Sequence, residues 1–131
     1  MTEIKNKKDF LYPELSYQII GIAYAIYNQI GFGHLEKTYC NAFEEYLKHT
    51  SLKYTREFYY PVKIFDKIVA KNFFDFLVEN KVILEIKIGT EGYREVCSQA
   101  FKYLKSSDYK LVIIIRFTKN GVKIKRIPKF Y

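Results

Sequence analysis

The stretch Leu111-Val112-Ile113-Ile114-Ile115 has no polar residue at either parity. Successive side chains of a strand point to opposite faces, so a run that is apolar at every position must be covered on both sides. The run predicts a central strand over Lys110–Phe117, packed between two layers. Helical periodicity supplies candidates for those layers. Leu15, Ile19, Ile22, Ala23, Ile26 and Ile30 predict a helix over Glu14–Gln29, with Pro13 at its start and Gly31-Phe32-Gly33 ending it. A second helix is expected from near His34 to about His49, with a buried stripe of Leu35, Tyr39, Phe43, Tyr46 and Leu47. A third is expected over Glu91–Ser106, with Val96, Ala100, Phe101 and Leu104 inward. Strands are expected at Tyr54–Phe65, Ile68–Val78, Val82–Ile88 and Val122–Ile127, with turns at Asp66-Lys67, Glu79-Asn80-Lys81 and Asn120-Gly121. The order α-α-β-β-β-α-β-β describes an α/β fold with a mixed sheet flanked by helices.

At 131 residues the chain is expected to form one domain, residues 13–131, behind a basic lead of residues 1–12 that carries Lys5, Lys7 and Lys8. Hydrophobic residues make up 49%, which excludes a wholly disordered basic protein. No apolar run is long enough for a membrane span or a secretory signal, so a cytoplasmic location is expected. The 22 Lys and Arg exceed the 14 Asp and Glu, for a net charge of +8, which points towards a polyanionic partner. Cys40 and Cys97 form no metal-type or disulfide pattern and are expected as buried, reduced thiols.

The sharpest chemical feature is Asp75 followed by Glu85-Ile86-Lys87. Glu85 and Lys87 share one face of an otherwise apolar strand, and charges in such a place need partners or a metal. A three-residue turn at Glu79-Asn80-Lys81 sets Asp75 opposite Glu85 and Phe73 opposite Lys87; a two-residue turn would set Asp75 opposite Ile86. The three-residue turn is the one expected here. It brings two carboxylates face to face, which is unfavourable unless a cation lies between them. A hard divalent ion fits, held by Asp75, Glu85, the Ile86 backbone carbonyl and water. Water on such an ion is more acidic and can attack phosphorus, while Lys87 orients it or stabilises the developing charge. The plain alternative is a surface Glu–Lys pair with an unrelated Asp. Glu36, in the first turn of the second helix, borders the core-facing stripe and can point towards the sheet. Gln99 and Tyr103, at i and i+4, share a face of the third helix.

Together these residues resemble the GxxExxY proteins of the PD-(D/E)xK nuclease superfamily. Gly33, Glu36 and Tyr39 form the naming motif, Asp75-Phe76-Leu77-Val78-Glu79 is similar to the D-x-L-V-E strand, and Glu85-Ile86-Lys87 is similar to E-x-K. Gln99 and Tyr103 resemble the Q-x-x-x-Y motif of the RecB-like and Cas4-like branches. The resemblance implies a restriction-endonuclease-like α-β-β-β-α-β core, here with an extra N-terminal helix and a C-terminal strand. It implies Mg²⁺ or Mn²⁺ and cleavage of nucleic-acid phosphodiester bonds, with DNA favoured over RNA as the expected substrate. Asp75, Glu85 and Glu36 would be ligands, Lys87 the catalytic lysine, and Gln99, Tyr103 and Tyr39 supporting residues. The sequence departs from the family where members often carry a basic residue two before the Asp; that position is Phe73.

Arg94, Lys123, Lys125 and Arg126 are candidate phosphate contacts. Tyr54, Tyr59 and Tyr60 could stack bases or pack on the sheet. His34 and His49 are expected as helix-end residues. So short a chain leaves specificity to a homodimer or a partner protein. The alternative function is a non-catalytic nucleic-acid-binding or accessory subunit that keeps the nuclease fold.

Overall fold

The computed structural model describes residues 11–129. The lysines of the basic lead lie outside the described residues. The elements are α1 (Pro13–Ile30), α2 (Glu36–Lys48), β1 (Tyr54–Ile64), β2 (Lys67–Val78), β3 (Val82–Ile88), α3 (Tyr93–Ser106), β4 (Leu111–Thr118) and β5 (Gly121–Pro128). They form one five-stranded sheet in the order β1-β2-β3-β4-β5. Only β3 and β4 run parallel, joined by the α3 crossover; the other neighbours are antiparallel. Among the described residues no helix is long and apolar enough to cross a membrane.

The run Leu111–Ile115 is fully buried and its two parities feed two cores. Leu111, Ile113, Ile115 and Phe117 meet Ile19, Ile22 and Ile26 of α1 and Tyr39, Phe43 and Leu47 of α2. Val112 and Ile114 meet Val96, Ala100 and Leu104 of α3 on the opposite face. Gly31, at φ +70, ends α1, and its N–H donates to the Tyr27 carbonyl at 2.8 Å.

Four local expectations are corrected. The first hairpin turns on Phe65-Asp66 rather than Asp66-Lys67, because Ile64 pairs with Lys67 and the two residues at positive φ lie between them. Leu35 is not in the α2 stripe: it is the extended residue before the helix, 74% exposed, and Cys40 fills the inward place. The helix therefore begins at Glu36, not His34. Phe101 is exposed, since the inward line of α3 runs through Val96, Ala100 and Leu104 at steps of four.

The three-residue turn is present. Lys81 N–H donates to the Val78 carbonyl at 3.0 Å, Glu79 and Asn80 take positive φ, and Val78 pairs with Val82. Pairing then continues through Leu77–Ile83 to Phe76–Leu84 and stops one step before Asp75 and Glu85.

Candidate active site

The sheet splits at Asp75. On its β1 side the pairing skips Asp75 and Glu57, and Glu57 has φ +56, a conformation unfavourable for a residue with a Cβ. The break resets the alternation of β2. Phe74 packs on the α3 face beside Tyr60, whereas Phe76, two residues on, packs on the α1–α2 face. Regular strand geometry would put both on one face. Asp75 sits at this reversal, where β2 leaves β3.

In the fork, side chains take over from the backbone ladder. Glu85 Oε1 accepts the Asp75 N–H at 2.9 Å, and Asp75 Oδ2 accepts the Ile86 N–H at 2.6 Å. A strand residue presents its N–H and C=O to the same side, so the Ile86 carbonyl also opens towards this gap. Glu85 is one of two buried polar residues of the described chain, 7% exposed. Burial, then the Asp75 charge, pushes its carboxyl up to about 8. Burial raises Asp75 as well, against the opposing pull of the Ile86 N–H, the Glu85 carboxyl and the Lys87 charge. Burial thus raises both carboxyls, and a nearby positive charge lowers them, as Lys87 does in part.

The residues present fit a divalent ion in a limited way. Two facing carboxylates and a carbonyl are hard oxygen donors of the kind Mg²⁺ takes alongside water and phosphate. Glu36, the third ligand expected from the resemblance, stands in the first turn of α2. Among the described residues no group of three or more His, Cys, Asp and Glu side chains is close enough to hold a metal ion. Glu36 lies further off at the start of α2, within electrostatic reach of Asp75 and Lys87; burial raises its pKa, Lys87 opposes and Asp75 adds.

The local sequence explains how Glu36 reaches the sheet. Gly33 takes φ +111 in the loop between α1 and α2, and nothing lies within 4 Å of where a Cβ would stand. Tyr39 is fully buried, stacks on Phe117 with ring centroids 4.2 Å apart, and donates its hydroxyl to the Gly31 carbonyl at 2.6 Å. Tyr39 thus latches the loop that Gly33 turns and holds the first turn of α2 over the fork.

Lys87 is half-buried and makes no hydrogen bond or ion pair with a described residue. It pairs with Arg116 across β3–β4, and Arg116 pairs with Lys123 across β4–β5. Paired residues share a face, so Lys87, Arg116 and Lys123 form a row of cations leading away from the carboxylates. Arg116 is held by stacking 4.3 Å from the Tyr93 ring centre and by donating to the Gly89 carbonyl at 3.3 Å. Sequence reading missed Arg116; the signal was a lone cation at the end of an apolar strand.

Other candidates lie elsewhere. Gln99 Nε2 donates to the Tyr60 hydroxyl, and Tyr103 packs on the Tyr60 ring at 4.6 Å. Both line a cavity of about 700 Å³ with Tyr59, Asn72 and Lys102, and neither carboxylate of the fork lines it. Burial pushes Tyr60 up to about 12, with Glu85 adding to the rise, so the Tyr60 hydroxyl that Gln99 contacts lies within electrostatic reach of the fork. Arg126 is not displayed with Lys123 and Lys125. Its guanidinium donates to Ser16 Oγ at 2.5 Å and to the Leu11 carbonyl at 3.0 Å, seating the start of α1 on β5. Arg94, Lys123 and Lys125 are exposed. Arg56 was also missed: it pairs with Glu44 at 2.8 Å and its charge reaches Asp75 and Cys40.

The chain belongs to the PD-(D/E)XK nuclease superfamily, whose family model matches residues 13–127. Its fold is similar to the crystal structure of SSO0001, with a TM-score of 0.51 at 18% identity, covering 99% of this chain and 63% of that one. The chain therefore spans less than two thirds of that protein. No curated protein matches it.

Proposed function

We propose that the chain is a nuclease that hydrolyses phosphodiester bonds of nucleic acid at the β2–β3 fork, using Mg²⁺ or Mn²⁺. The observation that carries this reading is the facing pair Asp75 and Glu85, desolvated, each accepting a backbone N–H across the fork and followed by Lys87. Asp75, Glu85 and the Ile86 carbonyl would hold the ion. When bound, the ion supplies a Lewis acid for the phosphate and a water acidic enough to act as nucleophile.

The chain's own residues do the rest. Asp75 and Glu85 act as the carboxylate pair. Lys87, which makes no hydrogen bond or ion pair with a described residue, binds a phosphate oxygen or orients the attacking water. Glu36 counterbalances Lys87 and keeps its ammonium over the fork. Arg116 and Lys123 continue the positive row for neighbouring phosphates. Gln99 and Tyr103 support the site from behind Tyr60, and Tyr39 supports it through the α1–α2 loop.

Purified protein with Mg²⁺ or Mn²⁺ is expected to cut at least one of linear, nicked, branched or single-stranded DNA. Asp75→Ala and Lys87→Ala are expected to abolish cutting. Cutting that survives both substitutions, or that needs no divalent ion, would sink the reading.

A further inference from the structure

Beyond Tyr60 and Asn72, β1 and β2 leave the body of the protein as a two-stranded ribbon. Pairing continues through Pro61–Lys71 and Val62–Ala70, shifts register, and closes with Lys63–Ile68 and Ile64–Lys67. Every residue from Val62 to Lys71 is exposed. A ribbon that packs on nothing is marginal by itself, so residues kept apolar along it need an occupant. Phe65 stands at the tip, 96% exposed, and is held at φ +50 in a turn where Asn or Gly would serve at less cost. Lys63, Lys67 and Lys71 stand along the ribbon against one acid, Asp66, and none of the three lysines is ion-paired with a described residue.

The geometry points to an arm that enters a groove of duplex DNA, with Phe65 as its apolar tip and the three lysines on flanking phosphates. This rests on the nuclease reading and names the class of its substrate. The major groove of B-form DNA admits a two-stranded ribbon, whereas the deep, narrow major groove of A-form RNA does not. Charge decides against a second copy of the chain as occupant: an isologous pairing of two arms would set three lysines against three lysines. From Asp66 to Asp75 the strand climbs roughly 30 Å at ~3.3 Å per residue. That is close to one helical turn of DNA, about 34 Å, so the arm would grip the duplex about one turn from the bond at the fork.

Fluorescence anisotropy in EDTA tests the arm without cleavage. The probes are labelled duplexes of about 8 and about 30 base pairs and a single strand of the longer length, titrated with wild type, Phe65→Ala and the triple variant Lys63→Gln, Lys67→Gln, Lys71→Gln. The triple variant is expected to bind the long duplex on the order of 10-fold more weakly, with its log–log salt slope reduced by roughly 2 to 3. Phe65→Ala is expected to weaken the long duplex only. Neither variant should change the short duplex or the melting temperature, because the ribbon is exposed. Unchanged affinity and salt slope on the long duplex would overturn the arm, as would a wild type that binds no duplex or prefers the single strand. So would loss of self-association in sedimentation velocity without loss of duplex binding. Because no cleavage is required, a protein that binds through the arm but never cuts would fail the nuclease reading alone. Variants that bind and cut as wild type would fail the arm alone.

Discussion

Asp75 and Glu85 are held opposite each other by exchange of side chain for backbone: the Glu85 carboxylate accepts the Asp75 N–H, and the Asp75 carboxylate accepts the next N–H along β3, that of Ile86. The ladder between β2 and β3 ends where this exchange begins. The same contacts open the fork and prevent the two acids from leaving it.

That arrangement has a pH signature. Glu85 titrates near 4.5 in an unfolded chain and near 8 when folded, raised by burial and by Asp75. Between those values the native state holds more protons than the unfolded state, so stability falls as pH rises through the window. Melting temperature in EDTA is expected to decline from about pH 5 to pH 8. Glu85→Gln should flatten that decline, and Mn²⁺ should oppose it with release of the Glu85 proton. An identical slope in wild type and Glu85→Gln, followed by scanning fluorimetry, would contradict this account.

The α1–α2 latch can be separated into its parts. Tyr39→Phe keeps the buried ring on Phe117 and removes the bond donated to the Gly31 carbonyl and the long one accepted from the His34 N–H at 3.5 Å, for an expected loss of about 1 kcal/mol. Gly33→Ala meets no neighbour but must adopt φ +111, costing about 1 kcal/mol or more. Urea unfolding measures both. A loss of several kcal/mol from Tyr39→Phe would mean that the hydroxyl does more than fasten this loop.

Arg116 separates charge from stacking. Arg116→Ala is expected to weaken nucleic-acid binding by a similar factor across sequences and to lower the salt slope by about 1. Arg116→Lys should keep the slope but lose part of the affinity, since a lysine cannot reproduce the guanidinium contact over the Tyr93 ring. Binding isotherms at several salt concentrations decide this. Sequence-selective loss would assign Arg116 to base contacts instead.

Cys40 reports on the floor of the site. Burial, with the charge of Asp75 next in weight, pushes its thiol up to about 12, so it stays protonated at pH 8. Ellman's reagent should leave Cys40 unmodified in the folded protein and titrate it after urea unfolding; Cys97, which is half-exposed, should react first. Equal native rates at the two thiols would show that α2 lifts from the sheet.

Local pattern settled much of the molecule. The run Leu111–Ile115 demanded cover on both faces, and the order of helices and strands followed from changes in period. Even the facing of Asp75 and Glu85 was legible, because a three-residue turn determines which residues oppose each other for as long as the hairpin stays regular. Local pattern could not place what depends on where regularity ends. The positive φ of Glu57 stands opposite the point where β2 passes from one core to the other, between Phe74 and Phe76, and no single strand encodes that switch. Tertiary structure alone set Gln99 against the Tyr60 hydroxyl, turned Arg126 inward to Ser16, and aligned Lys87, Arg116 and Lys123 across three strands. Each of those contacts joins residues far apart in the chain. Their distances depend on how whole elements dock, whereas turn length and hydrophobic period act between near neighbours.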